Sequence, residues 1–359
     1  MGKRILYLMH ISWGWVKQRP HFIAEGLNEK NDVTVVAKCD FRNNIVRNST
    51  NLKVYSLLRL PLERYLLIRK INSLLYKIQL HFYCRSKDVI WFTAPFMTPY
   101  VQAKGKLVFY DCMDDILEFP DMKKNSYLFN ETRKCEENLY RRANFVFASS
   151  LNLKNKLIER YGEREIFVIN NGINMPQFDE NLVLPKELTP LVSTKTKKIV
   201  YIGTISSWMD FNLLRKIKEM LPLEVNIFLF GPTEVDISNN DYFIYCGVIE
   251  HKFVFEVMKH ADVLIMPFLV TDLIKSVNPV KLYEYIYSGK DIIAPLYEES
   301  LKFKDFVHLY RDHNHCLNIV KDLCLNGIKG SKTITECYQF CLDNTWKKRI
   351  QQIDKYINA

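Results

Sequence analysis

The sequence predicts an α/β protein made of two doubly wound, Rossmann-like domains. Short apolar runs bounded by polar, glycine or proline residues alternate with longer amphipathic stretches, as in parallel sheets covered by helices on both faces. This alternation fills the first half, is interrupted by a polar stretch containing prolines, and starts again at Lys198. A chain of 359 residues is long enough for two domains with separate cores.

Seven apolar runs in the first half are predicted to be strands, with helices between them. They are Arg4–Met9, Asp32–Ala37, Leu52–Leu57, Val89–Thr93, Leu107–Cys112, Phe145–Ala148 and Ile166–Ile169. The turn after the first of them lacks the glycine-rich dinucleotide fingerprint, which argues against a nicotinamide enzyme. Ligands of doubly wound sheets bind at the carboxyl ends of the strands, so this turn is expected to border a cleft.

The second half repeats the same pattern. Its predicted elements are the strands Lys198–Ile202, Val225–Phe230, Val263–Phe268 and Asp291–Ala294, the helices Phe211–Met220 and Phe253–His260, and a helix that opens at Pro279. The resulting division is a first domain (1–176), a linker marked by prolines (177–196), a second domain (197–340) and a last helix (341–359). One side of that helix is expected to pack back onto the first domain. Its apolar residues are Trp346, Ile350, Ile353 and Ile357.

The composition argues against a membrane-spanning, secreted or disulfide-rich protein. With 48% apolar and 25% charged residues, the sequence is of the ordinary globular type, and no apolar run is long enough to span a bilayer. No small-residue cleavage site follows the first apolar stretch, so a cytoplasmic protein is expected. Nine cysteines occur without C-x-x-C pairs, so neither a zinc site nor a disulfide framework is predicted.

The positive charge is concentrated in one half of the chain. Residues 1–178 hold 28 Lys and Arg against 17 Asp and Glu, a net +11, whereas residues 179–359 hold 22 against 23, a net −1. A basic half suits nucleic acid, an anionic membrane surface or an acidic substrate. Because no nucleic-acid-binding motif accompanies the charge, nucleic acid is not expected as a partner.

The segment 62–82 is predicted to be the strongest amphipathic helix of the first half. Its apolar stripe consists of Leu67, Ile71, Leu74, Leu75, Ile78 and Phe82, and its other faces are basic. We favour a core helix whose apolar stripe is buried and whose basic back is solvated. The alternative is a basic amphipathic helix that lies on an anionic membrane surface.

The stretch from Asp262 to Ala294 carries a predicted anion site. Pro279 suits the first turn of a helix, and Gly289 suits the left-handed position after its end. The start of a helix presents free N–H groups, which attract anions. Lys281 and Glu284 therefore either bind the phosphate and hydroxyl groups of a ligand or form a surface ion pair with each other.

The turn after the first strand offers two indoles, a guanidinium and an imidazole, from Trp13, Trp15, Arg19 and His21. Indole faces stack on sugar rings, and arginine binds phosphate or carboxylate in a fork. We expect Trp13, Trp15 and Arg19 to bind an acceptor substrate that carries a sugar ring or an anionic group. The alternative is that one indole packs on the sheet while residues 19–21 merely start a helix.

A cluster of carboxylates follows the predicted strand that ends at Cys112. Carboxylates gathered at strand ends raise one another's pKa, which suits a general base. Asp114 and Asp115 are the preferred bases, His21 is their competitor, and Asp111 is expected to be structural. A metal site and a helix cap are the alternatives for this cluster.

These motifs resemble those of GT-B glycosyltransferases, in particular the bacterial polysaccharide enzymes of the family 4-like (group 1) type. In that family a Pro-x-Lys-x-x-Glu helix follows a strand that ends in Pro-Phe, as Pro279–Glu284 follows Pro267-Phe268 here. The Tyr-Asp-x-x-Asp sequence at 110–114 and the Asn-Gly-Ile sequence at 171–173 are also similar to family motifs.

The resemblance implies that the second domain binds a nucleoside-diphosphate sugar, with the helix start on the diphosphate, Glu284 on the ribose and main-chain groups on the base. The implied donor-binding residues are Gly203, Thr204, Tyr245, Gly247, Val248, Pro279, Val280, Lys281 and Glu284. Many retaining members carry a further glutamate eight positions before the ribose-binding one. That position is Ser276 here, so inversion and retention both stay open.

The expected function is the transfer of a sugar from a nucleoside-diphosphate donor, such as a UDP-sugar, to a saccharide or lipid-linked saccharide in surface polysaccharide biosynthesis. Cationic and helix-terminal groups stabilise the leaving diphosphate, so neither a metal nor another cofactor is expected. The expected location is the cytoplasm, at the inner face of the membrane. A catalytically inactive carbohydrate-binding protein and a nucleotide-sugar epimerase of the same fold are the alternatives.

Overall fold

The computed structural model describes residues 2–14, 17–37, 52–176, 182–327 and 332–358. The chain divides into two compact units, which we call the first domain (Met1–Asn170 with Trp346–Ala359) and the second domain (Asn171–Thr345). Each domain is built around one fully parallel sheet. The predicted α/β class is therefore confirmed.

The sheet of the first domain has seven strands in the order β3-β2-β1-β4-β5-β6-β7. They are β1 (Arg4–Met9), β2 (Asp32–Ala37), β3 (Lys53–Ser56), β4 (Val89–Phe92), β5 (Leu107–Cys112), β6 (Phe145–Ala148) and β7 (Phe167–Val168). The order reverses between β1 and β4, which is where doubly wound sheets bind ligands beyond the carboxyl ends of the strands.

Five helices of the first domain lie between its strands. They are α1 (Arg19–Asn28), α2 (Leu66–Arg85), α3 (Pro120–Lys124), α4 (Ser126–Arg142) and α5 (Leu151–Tyr161), with 3-10 turns at Pro95–Tyr100 and Ile116–Glu118. Apolar side chains cover both faces of the sheet, in one cluster around Leu6, Ile90 and Leu153 and in another around Tyr7, Trp91 and Ile353. No helix in the part of the chain that the structure describes is both long and apolar enough to cross a bilayer.

The sheet of the second domain has six strands in the order β10-β9-β8-β11-β12-β13, which reverses between β8 and β11. The strands are β8 (Lys197–Ile202), β9 (Val225–Phe230), β10 (Ile244–Gly247), β11 (Val263–Ile265), β12 (Asp291–Pro295) and β13 (His308–Tyr310). The helices are α6 (Thr189–Ser193), α7 (Phe211–Met220), α8 (Val254–His260), α9 (Asp272–Lys275), α10 (Val280–Tyr287), α11 (His313–Cys324) and α12 (Ile334–Asp343). Three 3-10 turns complete the domain, at Lys186–Leu188, His251–Phe253 and Ser300–Phe303.

The segment predicted as a linker is partly folded. Residues 177–181 lie outside the described part of the chain, but a 3-10 turn and α6 occupy 186–193. Leu188 and Leu191 are fully buried in a core cluster of the second domain, and this burial overrides the proline-rich, polar character of the segment.

The prediction that the apolar stripe of α2 is buried is wrong. The side of α2 that packs on the domain carries the buried residues Asn72, Leu80 and Cys84 and the partly buried Tyr76, spaced four residues apart. Leu67, which belongs to the predicted stripe, lies on the opposite side and is exposed together with four other stripe residues, Ile71, Leu74, Ile78 and Phe82. Amphipathicity shows that a helix has two unlike sides, but it does not show which side the domain covers.

The last helix, α13 (Trp346–Ile357), belongs to the first domain although the second domain precedes it in the chain. The Trp346 ring stacks on Phe22 of α1 with ring centroids 5.1 Å apart. A Cβ placed on Gly26 of α1 would lie 1.8 Å from the Cδ1 atom of Ile350, so glycine allows the two helices to approach closely. Ile353 and Ile357 are fully buried.

Candidate functional site

In the second domain, three strand-end turns meet at Gly231, the residue that follows β9. The Gly231 N–H donates to the carbonyl of Gly247 over 2.8 Å, and its carbonyl accepts the hydroxyl of Tyr245 over 3.0 Å. On its other side, a Cβ added to Gly231 would lie 2.0 Å from the carbonyl oxygen of Gly203. The backbone at Gly231 has a positive φ of 134°. Glycine is therefore needed here, and it brings together the ends of β8, β9 and β10.

Two further predicted donor residues lie beside this junction. The carbonyl of Thr204 accepts the hydroxyl of Tyr201 over 2.9 Å, which fixes the turn after β8. The Val248 side chain, just after β10, is exposed. The structure thus groups Gly203, Thr204, Tyr245 and Val248 at one edge of the sheet. Gly231 was not among the predicted site residues, although a Gly-Pro pair directly after an apolar run marks such a turn.

Helix α10 begins at Val280, so Pro279 is its N-cap rather than its first helical residue. Gly289 follows the helix with a φ of 65°, in the left-handed conformation predicted for it. The first N–H groups of a helix have no acceptor within the helix, so the start of α10 can bind an anion.

The start of α10 is held by Asn278, which is buried. The side-chain oxygen of Asn278 accepts the backbone N–H of Asn171 over 2.8 Å and the hydroxyl of Tyr283 over 3.2 Å. Its amide nitrogen donates to the buried Glu299 over 3.1 Å. These contacts fix the backbone immediately before the N-cap. Asn171 and Glu299 lie too far from Asn278 in the sequence for a local pattern to predict them.

Lys281 and Glu284 form an ion pair with 2.6 Å between Nζ and the Glu284 carboxylate. Glu284 is only 5% exposed, so this is not the surface pair that the alternative prediction describes. Nε2 of His251 lies 3.3 Å from the other carboxylate oxygen. Burial acts to raise the pKa of Glu284, but the Lys281 charge and the His251 contact outweigh it and lower that pKa to about 2. Glu284 is therefore an ionised acceptor in the second turn of α10.

The position eight residues before Glu284 holds Ser276, at the end of α9. Ser276 is fully buried, and its hydroxyl donates to the carbonyl of Asp272 over 3.3 Å. A short neutral side chain thus stands where many retaining enzymes of the resembling family carry a carboxylate.

In the first domain, the structure gives Arg19 a role other than the predicted acceptor binding. Its side chain is 1% exposed and forms a bidentate pair with the fully buried Asp111, with Nη2 2.7 Å from Oδ1 and Nε 3.1 Å from Oδ2. Nη1 donates to the carbonyl of Ile169 over 2.7 Å. The guanidinium therefore connects α1 to the ends of β5 and β7, and Asp111 is structural, as predicted.

Asp115 is also engaged by cations. It is 1% exposed, and its carboxylate lies 2.7 Å from Nη1 of Arg160 and 2.9 Å from Nζ of Lys156, both on α5. Both carboxylate oxygens thus accept hydrogen bonds from these two side chains, which occupy the positions that an acceptor hydroxyl would need. This geometry disfavours Asp115 as the predicted base.

Asp114 has different surroundings. Its side chain is half-buried, and no group in the described part of the chain donates a hydrogen bond to its carboxylate. Burial raises the pKa of Asp114 to about 6, with Arg19 opposing the shift and Asp115 and Asp111 adding to it. A carboxyl group with this pKa exchanges its proton near neutral pH, as a general base must.

His21 holds the turn before α1 rather than a ligand. Its Nδ1 accepts the backbone N–H of Gln18 over 3.1 Å, and Nε2 lies 3.1 Å from the carbonyl of Trp13, to which it donates. Burial lowers the pKa of His21 to about 4. With both ring nitrogens bound to backbone, His21 is poorly placed as a base. Trp13 is half-buried against the His21 ring, and Trp15 lies outside the described residues.

His10, directly after β1, was not among the predicted site residues. Its Nδ1 lies 2.8 Å from the hydroxyl oxygen of Thr93, which follows β4. Because that hydroxyl donates to the carbonyl of Leu8 over 3.1 Å, it accepts the proton of Nδ1, and neutral His10 then carries no proton on Nε2. His10 and Thr93 occupy the position where the strand order reverses, so the topology marks them as site residues.

Comparison with known proteins shows which proteins the chain is similar to. No protein-family model matches the chain. The chain is 24% identical over 267 residues to the putative teichuronic acid biosynthesis glycosyltransferase TuaH of Bacillus subtilis strain 168. That match covers 69% of this chain and 66% of the relative, which is slightly less than two thirds of its length.

The solved structures that resemble the chain cover nearly all of it. HepE from Anabaena, in complex with UDP-glucose, gives a TM-score of 0.72 at 16% identity over 99% of both chains. The chain has the GT-B fold. Sucrose-phosphate synthase from Thermosynechococcus elongatus has the same GT-B architecture, with a TM-score of 0.71 at 13% identity over 99% of this chain and 98% of that one. The GT-B fold predicted from the sequence is confirmed.

Proposed function

We propose that this GT-B protein is a glycosyltransferase that moves a sugar from a nucleoside-diphosphate sugar to a saccharide or lipid-linked saccharide acceptor. The observation that carries the proposal is the ionised, buried Glu284 beside Lys281 at the start of α10. The names of the relatives support it: HepE is described with UDP-glucose, and TuaH as a putative glycosyltransferase of teichuronic acid biosynthesis.

The donor is assigned to the second domain. Lys281 and the first N–H groups of α10 bind the diphosphate, because both favour negative charge. Glu284, which is acceptor-only while ionised, binds donor hydroxyl groups. Glycine at Gly203 and Gly231 lets the strand-end turns pack against Tyr201 and against each other. We assign the backbone surface of these turns and of Gly247 to the nucleotide.

The acceptor is assigned to the first domain, with Asp114 as its base. In the proposed reaction, an acceptor hydroxyl oxygen bonds to the anomeric carbon while the bond from that carbon to the phosphate oxygen breaks. The electron pair of the broken bond leaves with the nucleoside diphosphate, and the hydroxyl proton moves to Asp114. His10 is the competing base, because its Nε2 is the unprotonated ring nitrogen of the neutral side chain.

Metal independence remains a prediction. Lys281 and the helix start supply positive potential at the diphosphate, which is the task a metal would otherwise perform. Turnover that persists in a chelator would support this part of the proposal, and turnover that needs added Mg²⁺ or Mn²⁺ would contradict it.

The location is proposed on the basis of charge. The net +11 of residues 1–178 suits an acceptor presented at an anionic membrane surface on the cytoplasmic side.

The test begins with the donor. We expect UDP or another nucleoside diphosphate to raise the melting temperature, because a ligand at about 100 times its Kd stabilises the folded state by about 2.7 kcal/mol. Lys281→Ala should abolish this shift. Lys275→Ala is the matched control, because Lys275 forms an i, i+3 pair of the same kind with Asp272 on the exposed side of α9.

Release of nucleoside diphosphate from the sugar donor, dependent on a saccharide acceptor, then distinguishes the functions. Binding without release would favour the inactive carbohydrate-binding protein, and interconversion of the donor sugar would favour the epimerase. An unchanged affinity of Lys281→Ala in calorimetry would contradict the donor assignment.

A further inference from the structure

Helix α2 turns a row of large apolar side chains toward solvent. Leu67 is 69% exposed, Leu74 is 59% exposed and Phe82 is 67% exposed, and Ile71 and Ile78 complete the row. The spacing of four, three, four and four residues keeps all five on one side of the helix. Single exposed leucines are common on protein surfaces, whereas a continuous apolar row of this length marks an interaction site.

The segment before α2 enlarges this surface and is held in place by the helix. The side chain of Asn72 accepts the backbone N–H of Leu60 over 2.7 Å and donates to its carbonyl over 3.0 Å. Gln79 makes the same paired contact with Leu58, over 2.8 and 2.9 Å. Leu58, Leu60 and Leu62 are all exposed. The amide side chains of Asn72 and Gln79 thus hold the backbone of this segment in place, while its three leucine side chains face solvent.

The charge on α2 is of one sign. The helix carries Arg69, Lys70, Lys77 and Arg85 and has no acidic residue. Lys70 lies three residues after Leu67 and four before Leu74, so it stands beside the apolar row on the same side of the helix. Lys77 stands three residues after Leu74 in the same way, and both lysines are exposed.

We propose that α2 and the segment 58–65 form a membrane-docking surface that binds anionic phospholipid, with the apolar row in the interface and the lysines at the headgroups. Apolar rows of this kind insert at the boundary between headgroups and acyl chains, and Lys or Arg beside them bind anionic lipid. The segment 58–65 adds one acidic residue, Glu63, which pairs with Arg59. The charge of α2 itself is of one sign, and it selects this occupant over a second copy of the chain, because two such helices packed face to face would bring their cations together. The inference goes beyond the proposed transfer reaction, and its test is read without turnover.

The test is partition onto vesicles of phosphatidylcholine with and without phosphatidylglycerol, measured by cosedimentation. The wild type should bind the anionic vesicles and largely ignore the neutral ones, and added salt should weaken binding because it screens the lysines. Lys70→Glu combined with Lys77→Glu should lower the partition coefficient at least about tenfold. The control, Lys104→Glu with Lys347→Glu, changes the net charge equally at two other exposed lysines of the first domain and should bind nearly as the wild type does.

The apolar contribution is tested separately. Leu67→Gln with Leu74→Gln should lower partition at least about tenfold, whereas Leu223→Gln, at an exposed leucine outside this surface, should not. Equal binding of the wild type to neutral and anionic vesicles, or undiminished binding of both α2 variants, would overturn the proposal. A wild-type dimer in sedimentation that Leu67→Gln with Leu74→Gln converts to monomer, with vesicle binding unchanged, would identify the surface as a self-association site instead. Circular dichroism of each variant checks that the fold is intact.

Discussion

Asp114 and Asp115 are neighbours in the sequence, and the same substitution should change stability in opposite directions at the two positions. The pKa of Asp114 is raised from 3.8 to about 6. A rise in pKa of this size corresponds to at most about 3 kcal/mol, and the true value is smaller because solvent screens the half-buried side chain. The folded protein binds this proton more tightly than the unfolded chain does, so ionisation of Asp114 costs stability. The cost is absent below about pH 4 and complete above about pH 6.

Asp114→Asn should therefore raise the free energy of unfolding at about pH 7 by up to about 3 kcal/mol, and the gain should fade as the pH approaches about 4. Asp115→Asn should lower it by about 3 kcal/mol at neutral pH, because Arg160 and Lys156 lose a buried counter-charge. Urea denaturation followed by circular dichroism, repeated across this pH range, measures both effects.

The activity of the same two variants tests the role of Asp114 as the base. Asp114→Asn should lose turnover about a hundredfold or more, the size of a general-base contribution, while keeping donor binding. If Asp114→Asn is more stable than the wild type but inactive, the Asp114 carboxylate is needed for turnover although its ionisation destabilises the fold. An Asp114→Asn protein that is no more stable than the wild type at neutral pH, or whose added stability does not depend on pH, would refute the raised pKa of Asp114. Near-normal turnover would refute the base assignment and direct attention to His10.

Two further predictions concern the second domain. Glu284→Gln keeps the shape of the side chain but removes the ionised acceptor beside Lys281, so turnover should fall at least about tenfold. Glu219→Gln, which breaks the exposed pair with Arg215, is the control, and equal effects of the two substitutions would contradict a donor role for Glu284. Gly231→Ala should destabilise the domain by about 2 kcal/mol or more and weaken nucleoside diphosphate binding, because its Cβ would meet the Gly203 carbonyl at 2.0 Å. Gly105→Ala also has a positive φ but open space around it, so it should cost only about 1 kcal/mol, and a similar loss at both positions in thermal unfolding would argue against the steric explanation.

The order of elements could be predicted from the sequence because each strand and turn is a local feature. The runs that became β1, β5, β8 and β9 were identified by continuous apolar residues with polar or glycine boundaries. Local signals also marked the helix that begins after Pro279 and ends before Gly289. Side-chain roles that depend on distant partners could not be predicted in this way.

Arg19 shows the limit most clearly. Its type and position suggested a ligand-binding guanidinium, but its partner Asp111 lies 92 residues away, and only the folded sheet brings the two together. Asp114 and Asp115 look alike in sequence, but the cations of α5 pair only with Asp115. The apolar row of α2 misled for another reason: the polar Asn72 is buried because its amide pairs with backbone, which a hydrophobicity pattern does not record.

The position of α13 in the chain has a consequence for biosynthesis. Phe22, Phe147 and Phe167 of the first domain pack against Trp346 or Tyr356 of this helix, yet the 175 residues from Asn171 to Thr345 are translated in between. At about 5 to 20 residues per second, the ribosome takes about 10 to 35 seconds to make them. During that time the aromatic face that receives α13 stays uncovered on the nascent chain. The first domain can therefore close only after the whole second domain has been translated, and until then its aromatic face is open to other apolar contacts.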